Sequence, residues 1–248
     1  MRVILYLAVL SLSILCLSGC RKASTSRTRG KGHSEFVKRD KTKEKVITRK
    51  EKSIVHKRSA DKLEGSQVFD LYGNAVFMIF TSDGVNGYQG SGFFINNDGL
   101  AVSNYHVFKG TEIGKEHIKL LGSDAYHNVT NVIKKSEEED FILFRVDCEN
   151  TNYIPIASSK PKIGEKVYAI GSPRGLENTF SSGEVSQWRA DNLMQISALI
   201  DHGSSGGALI NEYGEVVGIT SGSFADGSQA NLNYAWSIDV VKPYLKNE

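Results

Sequence analysis

A glycine-rich segment at residues 203–207 reads Gly-Ser-Ser-Gly-Gly and encloses a serine in a flexible turn. Glycines at such a turn let a substrate approach the backbone closely, and they allow N–H groups to point at a developing oxyanion. The segment therefore indicates Ser205 as a candidate nucleophile for acyl transfer. A glycine-rich turn that carries an ordinary serine has the same composition, so this segment alone does not decide the chemistry.

Two other residues match the remaining needs of acyl transfer. His106 ends a predicted strand in the segment Ser-Asn-Tyr-His-Val at 103–107, and its side chain has the ordinary pKa best suited to a general base. Asp140 begins an apolar run at 141–146, where a carboxylate is partly desolvated, as a group that orients a histidine must be. Each also has an ordinary explanation, as a strand-end histidine and as the end of an acidic run.

The order of these residues along the chain separates two folds. Residues 203–207 also fit the Gly-x-Ser-x-Gly pattern of α/β-hydrolases, in which the serine precedes both the acid and the histidine. The histidines are at positions 33, 56, 106, 117, 127 and 202, so none follows Ser205. The α/β-hydrolase arrangement is excluded, and the order His106, Asp140, Ser205 is that of chymotrypsin. Asp124 and Asp147 are rival acids, but Asp147 follows its strand and faces a polar loop.

The elements that must position these residues are short apolar runs separated by turn residues. Asn-Asn-Asp-Gly at 96–99 and Asn-Glu-Tyr-Gly at 211–214 each join two runs and predict hairpins. Such spacing favours an all-β barrel or sandwich, with a short helix expected near 239–246. The runs lie at residues 75–80, 92–95, 100–103, 141–146, 166–170, 208–210 and 216–219.

Eight short motifs resemble the trypsin-like serine proteases of the HtrA/Deg family. Together they extend over roughly residues 68–242, in order and without large gaps. The motifs are Gly-Ser-Gly-Phe at 90–93, Asn-Asp-Gly at 97–99, residues 103–107, Asp-Phe-Ile-Leu at 140–143, Ile-Gly-Glu at 163–165, Ala-Ile-Gly-Ser-Pro at 169–173, Ser-Gly-Glu-Val-Ser at 182–186, and residues 203–209.

This resemblance implies two packed six-stranded antiparallel β-barrels with the active site in the cleft between them. It places His106 and Asp140 in the first barrel and Ser205 in the second, as the triad of a serine endopeptidase. The backbone N–H groups of Gly203, Ser204 and Ser205 are then expected to form the oxyanion hole. The mechanism requires no metal or cofactor, and the sequence has no His/Cys spacing typical of a metal site.

The substrate pocket is also inferred from the resemblance. Ile219, Ser221 and Ser223 follow a core strand where related proteases place one wall of the primary pocket. His202 is expected either at the mouth of that pocket or as an exposed loop residue. Since no aspartate marks this wall, we expect a preference for a small apolar side chain.

The sequence departs from the family at the proposed oxyanion turn. Ser204 stands where the family usually has Asn, Ala208 where it often has Pro, and Asp201-His202 where Asn-Pro usually precedes the glycine. An alternative function is therefore a catalytically silent binding lipoprotein that keeps the fold with a misformed turn. The sequence ends at Glu248, so a domain without the PDZ module usual in HtrA proteins is expected.

The N-terminus predicts export and lipidation. Residues 3–17 are an apolar stretch after Arg2, too short for an ordinary spanning helix and typical of a signal peptide. Leu-Ser-Gly-Cys at 17–20 resembles the bacterial lipobox, which predicts acylation of Cys20 and a stable membrane anchor. The alternative is an ordinary signal peptide that contains a cysteine. Arg21 after the anchor favours the outer membrane where two membranes exist.

Charge divides the rest of the chain. Residues 21–67 hold 16 Lys and Arg against 6 Asp and Glu, whereas residues 68–248 hold 13 against 22. A segment this polar cannot offset its ordering entropy, so a disordered tether is expected, with contact to anionic lipid as an alternative and nucleic acid disfavoured. The predicted domains are a signal peptide at 1–19, a lipidated tether at 20–67 and a protease domain at 68–248.

Overall fold

Thirteen β-strands, two short α-helices and three 3₁₀-helices make up the part of the chain that this computed structural model describes, residues 57–172, 178–223 and 232–247. The predicted signal peptide, Cys20 and most of the predicted tether lie outside these residues. None of the helices in the described ranges is long and apolar enough to cross a membrane.

The N-terminal half is an antiparallel sheet of seven strands in the order β5-β4-β1-β2-β3-β7-β6. The predicted turn at 96–99 joins β2 to β3, and β3 continues directly into a one-turn helix, α2. A cluster of buried side chains, which includes Phe77, Phe94 and Phe144, packs within this half. The strands are β1 (Val76–Ser82), β2 (Gly87–Phe94), β3 (Leu100–Ser103), β4 (His117–Leu120), β5 (Tyr126–His127), β6 (Val129–Ser136) and β7 (Phe141–Val146), with α2 at Tyr105–Phe108.

The C-terminal half is a closed six-stranded barrel in the order β10-β13-β12-β11-β8-β9. Met194, Leu209, Val217 and Ala235 are buried inside it, because alternate residues of each strand face the interior. The strands are β8 (Lys166–Gly171), β9 (Thr179–Ala190), β10 (Leu193–Ile196), β11 (Ala208–Asn211), β12 (Val216–Ser223) and β13 (Asn233–Ser237).

The structure confirms the predicted all-β class and both predicted hairpins. Two details differ from the expectation of two closed six-stranded barrels and a C-terminal helix. Hydrogen bonding among the described strands leaves the N-terminal sheet open between β5 and β6, as a half-barrel of seven strands. The C-terminal segment forms 3₁₀-helices at Ile238–Val240 and Lys242–Asn247, with i→i+3 bonds and with Pro243 unable to donate a backbone hydrogen bond.

One buried cluster joins the two halves. It contains Phe93 and Phe141 from the N-terminal sheet together with Ile170 and Ile219 from the barrel. Residues on facing strands of both halves therefore share a core, and the loops at the ends of β3, β7, β11 and β12 are brought to the same region of the interface.

The folded part begins before the predicted boundary at residue 68. Helix α1 (Gly65–Tyr72) buries Val68 and Tyr72 against the shared core. The preceding extended segment, residues 57–64, which we call the strap, donates from Ser59 N–H to Tyr213 O and from Leu63 N–H to Glu212 O. Main-chain hydrogen bonds do not require a periodic pattern of apolar residues. The polar composition of residues 57–64 therefore led us to predict that they belong to the tether.

Candidate active site

His106 and Asp140 are held together by two hydrogen bonds. Helix α2 starts directly after β3, and it carries the His106 ring to 2.8 Å from Asp140, measured from Nδ1 to Oδ2. The backbone N–H of His106 also donates to Asp140 Oδ1 at 2.9 Å. A carboxylate that is hydrogen-bonded to both the ring and the backbone N–H of one histidine fixes the ring orientation, and it favours the tautomer that carries its proton on Nδ1.

Asp140 is itself fixed from both halves of the molecule. Its backbone has φ +43°, an uncommon conformation for a residue with a side chain, and Asn104 Nδ2 donates to its carbonyl at 2.8 Å. Ser221 of β12 donates from Oγ to Asp140 Oδ2, also at 2.8 Å. The aspartate side chain is 16% exposed and the histidine side chain 45%. The acid is thus largely shielded while the imidazole can reach a substrate.

Residues 201–204 form a type II turn in front of Ser205. Ser204 N–H donates to Asp201 O at 2.9 Å, and Gly203, the third residue of the turn, has φ +94°. In a type I turn the third residue has φ near −90°, and the peptide between the second and third residues, here His202 and Gly203, points in the opposite direction. Gly203 is the residue that makes this geometry accessible without strain.

The turn leaves two backbone donors free. Within the described residues, the N–H groups of Gly203 and Ser205 have no hydrogen-bond acceptor, whereas the Ser204 N–H is used to close the turn. The structure therefore corrects one sequence expectation, because the Ser204 N–H is already hydrogen-bonded within the turn and is not available to an oxyanion. Gly203 and Ser205 retain theirs.

Close packing behind Ser205 explains the glycine that follows it. A Cβ on Gly206 would collide with the carbonyl oxygen of Ser91 and with Ser103 Oγ, and its φ of +86° also favours glycine. Gly206 N–H donates to Thr220 O at 2.7 Å. Residues 201–207, which we call the serine loop, therefore pack between β2 and β3 on one side and β12 on the other.

Strand β12 brings the serine to the histidine–aspartate pair. Ser221 contacts Asp140, and a Cβ placed on the next residue, Gly222, would lie 3.4 Å from Ser205 Oγ. Among the described residues the Ser205 hydroxyl forms no hydrogen bond, and none joins it to His106. Hydrogen bonds between a nucleophile and its base are often long in a free enzyme and tighten when substrate binds.

A cavity of about 460 Å³ opens beside the serine loop. Its wall combines the ends of β8 and β9 with the segment that leads to the turn, and Thr220 contributes from β12. Asp201 is the one ionisable side chain among the described lining residues. The lining residues are Ala169, Ile170, Gly171, Thr179, Phe180, Ser181, Leu199, Ile200, Asp201, Ser204, Thr220 and Asn233.

The residues that sequence reasoning assigned to the substrate pocket occupy different places. Ile219 is fully buried in the shared core, and Ser221 points to Asp140 instead of the cavity. His202 is exposed, and its N–H donates to the Asp201 side chain. The backbone of Ser223 pairs with Asn233 in the barrel. Side chains alternate along a strand, so the pocket residue on β12 is Thr220, between two residues that were named.

The rival acids lie elsewhere, as does the free cysteine. Asp147 accepts from Asn128 N–H and lies 3.2 Å from His127 Nδ1, while Asp124 is exposed in a loop. Burial raises the pKa of the Cys148 thiol to about 11, so at neutral pH it is protonated and a poor nucleophile.

The site contains contributors to which the sequence assigned a different role or none. Asn104 and Ser221 both act on Asp140, and Thr220 Oγ1 donates to Ser204 O at 2.7 Å. Asn104 lies two residues before His106, within the motif already recognised, so its proximity was available as a signal. Ser221 was expected in the pocket wall and not beside Asp140, and neither Ser221 nor Thr220 has a local signature of its observed contact.

Comparison with known proteins gives consistent matches. The model of the trypsin-like peptidase domain matches residues 90–219, just over half of the chain. Protease Do-like 1, chloroplastic, of Arabidopsis thaliana is 28% identical over 168 residues, which cover 62% of this chain and 37% of that protein. A probable periplasmic serine endoprotease DegP-like of Halomonas elongata is 32% identical over 171 residues, covering 64% and 35%.

A solved structure gives the same picture for the fold. The serine endoprotease from Yersinia pestis superimposes with a TM-score of 0.66 at 25% identity, over 75% of this chain and 67% of the other. The chain spans little more than a third of the length of the curated relatives named above.

Proposed function

Because this chain belongs to the trypsin-like peptidase family, we propose that it is a serine endopeptidase that cleaves protein substrates through an acyl-enzyme. The observation that carries the proposal is the pairing of His106 with Asp140 at 2.8 Å, next to a serine loop whose type II turn leaves two amide donors free. Fold similarity alone would not support an activity, since one fold hosts many functions.

In the first half of the reaction, Ser205 Oγ attacks the carbonyl carbon of the scissile peptide bond. His106 Nε2 accepts the hydroxyl proton, and Asp140 stabilises the imidazolium through its bond to Nδ1. The carbonyl oxygen becomes an oxyanion, which the N–H groups of Gly203 and Ser205 are oriented to bind. Preorganised donors of this kind typically contribute about 3–4 kcal/mol each to transition-state stabilisation.

In the second half, His106 gives its proton to the leaving amine and the acyl-enzyme remains on Ser205. Water then enters, loses a proton to His106 and attacks the ester carbonyl. The tetrahedral intermediate collapses, Ser205 recovers its proton from His106, and the new carboxylate leaves. Every proton moves through one imidazole, so the hydrogen bond between Asp140 and that ring contributes to both halves of the reaction.

The cavity beside Ser204 supports a preference for an uncharged side chain on the acyl side of the cleaved bond. Phe180, Leu199 and Ile200 supply apolar wall, and no basic residue is among the described lining residues. The one carboxylate there, on Asp201, already accepts the His202 N–H. A small to medium apolar residue fits this chemistry best.

The type II turn also bears on the alternative function. A silent binding lipoprotein would have a misformed oxyanion turn. Gly203 at φ +94° and the closed Asp201–Ser204 bond support a turn that is already oriented for catalysis. We therefore propose activity at rest.

Hydrolysis of casein by the full chain, compared with Ser205→Ala, tests the activity. Ser237→Ala is a matched control, because it removes another buried serine hydroxyl, in β13, far along the chain from the catalytic loop. We expect the wild type and Ser237→Ala to release peptides and Ser205→Ala to release none. Equal rates in wild type and Ser205→Ala, or no activity in any of the three between pH 6 and 9, would overturn the proposal.

We further propose that the enzyme is anchored to the bacterial envelope by acylation of Cys20. The support is the lipobox-like Leu-Ser-Gly-Cys at 17–20 after an apolar stretch. The protein substrates would then be exported or surface proteins, and the outer membrane is favoured by Arg21. Labelled fatty acid should enter the wild type and not Cys20→Ala, and incorporation into both would refute the anchor.

A further inference from the structure

Ser91 on β2 is fully buried and donates two hydrogen bonds to the serine loop of the opposite half. Its backbone N–H donates to Ser205 O at 2.8 Å, and its Oγ donates to Gly203 O at 2.7 Å. The two carbonyls lie on either side of Ser204. A single residue of the N-terminal sheet thus holds both ends of the segment that carries the free amide donors.

The direction of the Ser91 hydroxyl proton is fixed by its other partner. Ser172 N–H donates to Ser91 Oγ at 2.9 Å, which occupies a lone pair and leaves the one hydroxyl proton for Gly203 O. Ser172 is held in turn, because its Oγ donates to Asn178 Oδ1 at 2.9 Å and Asn178 Nδ2 donates to Val76 O at 3.0 Å. A fully satisfied buried network of this kind is rigid.

The peptide plane between Gly203 and Ser204 is consequently held at both ends. Its carbonyl accepts from Ser91 Oγ, and its N–H donates to Asp201 O. The Gly203 N–H, one of the two free donors, belongs to the adjacent plane, and the Ser205 N–H belongs to the next plane along the chain. Without the Ser91 bond only the turn bond from Ser204 N–H to Asp201 O would hold this plane, so the ψ angle of Gly203 would be less restrained and the amide donors on either side of the plane would lose their fixed directions.

We propose that Ser91 is a positioning residue, which keeps the oxyanion turn in its type II conformation through the bond from its hydroxyl to Gly203 O. The inference rests on the proposed function, because the turn matters only if an oxyanion forms there. Ser91 does not touch substrate. It acts through Gly203 and Ser205.

Steady-state kinetics on a peptide substrate test this in the full chain. Ser91→Ala keeps the backbone N–H bond to Ser205 O and removes only the hydroxyl. Interactions made in the transition state alone change kcat and kcat/KM equally. We expect kcat to fall about 10- to 100-fold with KM unchanged, less than the about 10²- to 10³-fold typical for loss of an oxyanion donor itself.

Two further variants separate positioning from a general loss of packing. Ser91→Cys preserves nearly the same volume but has a weaker donor, so its kcat should lie between those of the wild type and Ser91→Ala. Ser237→Ala removes a buried hydroxyl of the same kind elsewhere, and its kcat should match the wild type. The inference would be overturned by a rise in KM that accounts for the lost activity, or by an equal loss of kcat in Ser237→Ala.

A readout that does not depend on hydrolysis keeps the inference testable if the proposed function fails. In ¹⁵N-labelled protein, the Gly203 amide resonance should broaden or split in Ser91→Ala and stay unchanged in Ser237→Ala. An inactive wild type with a shifted Gly203 resonance would overturn the function and support the role of Ser91 in the turn. An unmoved resonance in Ser91→Ala, with kcat within twofold of the wild type, would overturn that role.

Discussion

At the scale of single residues, the Asp140 carboxylate makes three hydrogen-bond contacts in the proposed site. It accepts from the His106 backbone, the His106 ring and the Ser221 hydroxyl. These contacts engage both carboxylate oxygens, Oδ1 with the His106 backbone and Oδ2 with the His106 ring and the Ser221 hydroxyl.

Asp140→Asn should therefore lower kcat by about 10⁴-fold at pH 7, because an amide has one acceptor oxygen and favours the wrong histidine tautomer. Peptide hydrolysis rates would measure the loss. Asp147→Asn is the matched control, since Asp147 also lies beside a histidine, with 3.2 Å between its Oδ1 and His127 Nδ1. Its kcat should stay near the wild-type value, and an equal loss in both variants would contradict the assignment of Asp140.

Cys148 makes a prediction of a different kind, about reactivity and pH. Burial raises the pKa of its thiol from 9.0 to about 11. The thiolate fraction at pH 8 should be about 100-fold smaller than for an unperturbed thiol, so alkylation by iodoacetamide should be slow and should accelerate about tenfold per pH unit up to pH 11. Mass spectrometry of the peptide that contains Cys148 gives the rate, and a rate independent of pH would contradict the prediction.

The same shift links Cys148 to stability. The folded thiol keeps its proton to a higher pH than the unfolded thiol, so its contribution to the free energy of unfolding is complete below about pH 9 and is lost as the pH rises toward 11. Replacing Cys148 with Ser, whose hydroxyl does not titrate in this range, should flatten the fall in stability between pH 9 and 11. An unchanged slope would show that other groups cause it.

At the scale of elements, helix α1 ties the start of the folded part to the barrel. Val68 is fully buried and Phe69 packs edge-on against Phe180 of β9, with 6.2 Å between ring centroids. Phe180 also lines the cavity beside the serine loop. The helix thus supports one wall of the proposed substrate pocket from behind.

Val68→Ala should lower the free energy of unfolding by about 2 kcal/mol, through lost burial and a residual cavity. Leu71→Ala on the same helix, where the side chain is 38% exposed, should cost under about 1 kcal/mol. Urea unfolding followed by tryptophan fluorescence compares the two. Equal effects would mean that α1 does not contribute to the shared core.

The sequence predicted both hairpins and seven of the thirteen described strands, because apolar runs bounded by Asn, Asp and Gly report local structure directly. It did not predict the other six, β4, β5, β6, β9, β10 and β13, several of which carry mainly polar or exposed residues, such as β6 and β9. It also proposed His106, Asp140 and Ser205 from their types and order, and the structure places Asp140 2.8 Å from His106. It missed the strap at 57–64, which is held by main-chain bonds to residues 212 and 213 and by ion pairs to Glu212 and Glu215. It also placed the pocket wall one residue away from Thr220. Ser91 and Gly203 each lie in a recognised motif, but no local pattern shows that they are hydrogen-bonded to one another.

At the scale of the whole molecule, charge separates the chain into two parts. The excess of Lys and Arg lies in residues 21–67, whereas the remainder to residue 248 is acidic, with 22 Asp and Glu against 13 Lys and Arg. Part of the basic excess is already engaged: Arg58 pairs with Glu215 and Lys62 with Glu212. Most of the other basic residues of this segment lie at positions 21–56, outside the described residues and close in sequence to Cys20.

We expect a chain of residues 20–248 with Cys20→Ala to sediment with phosphatidylglycerol vesicles at low salt and to be released at about 0.5 M NaCl, because each basic residue near an anionic surface contributes about 1 kcal/mol and salt screens that attraction. Phosphatidylcholine vesicles are the control and should not retain it. Retention by both lipids, or insensitivity to salt, would contradict a contact based on charge.

The division of the proposed triad between two halves has a consequence for the timing of activity. His106 and Asp140 are synthesised well before Ser205, and the bonds from Ser91 and Ser221 that organise the site cross from one half to the other. A nascent chain on the ribosome, or an extended chain in transit through a translocation channel, therefore has no assembled catalytic centre. The proposed enzyme would therefore be inactive toward the machinery that synthesises it, and, under the proposed export, it would gain activity only after both halves have folded together.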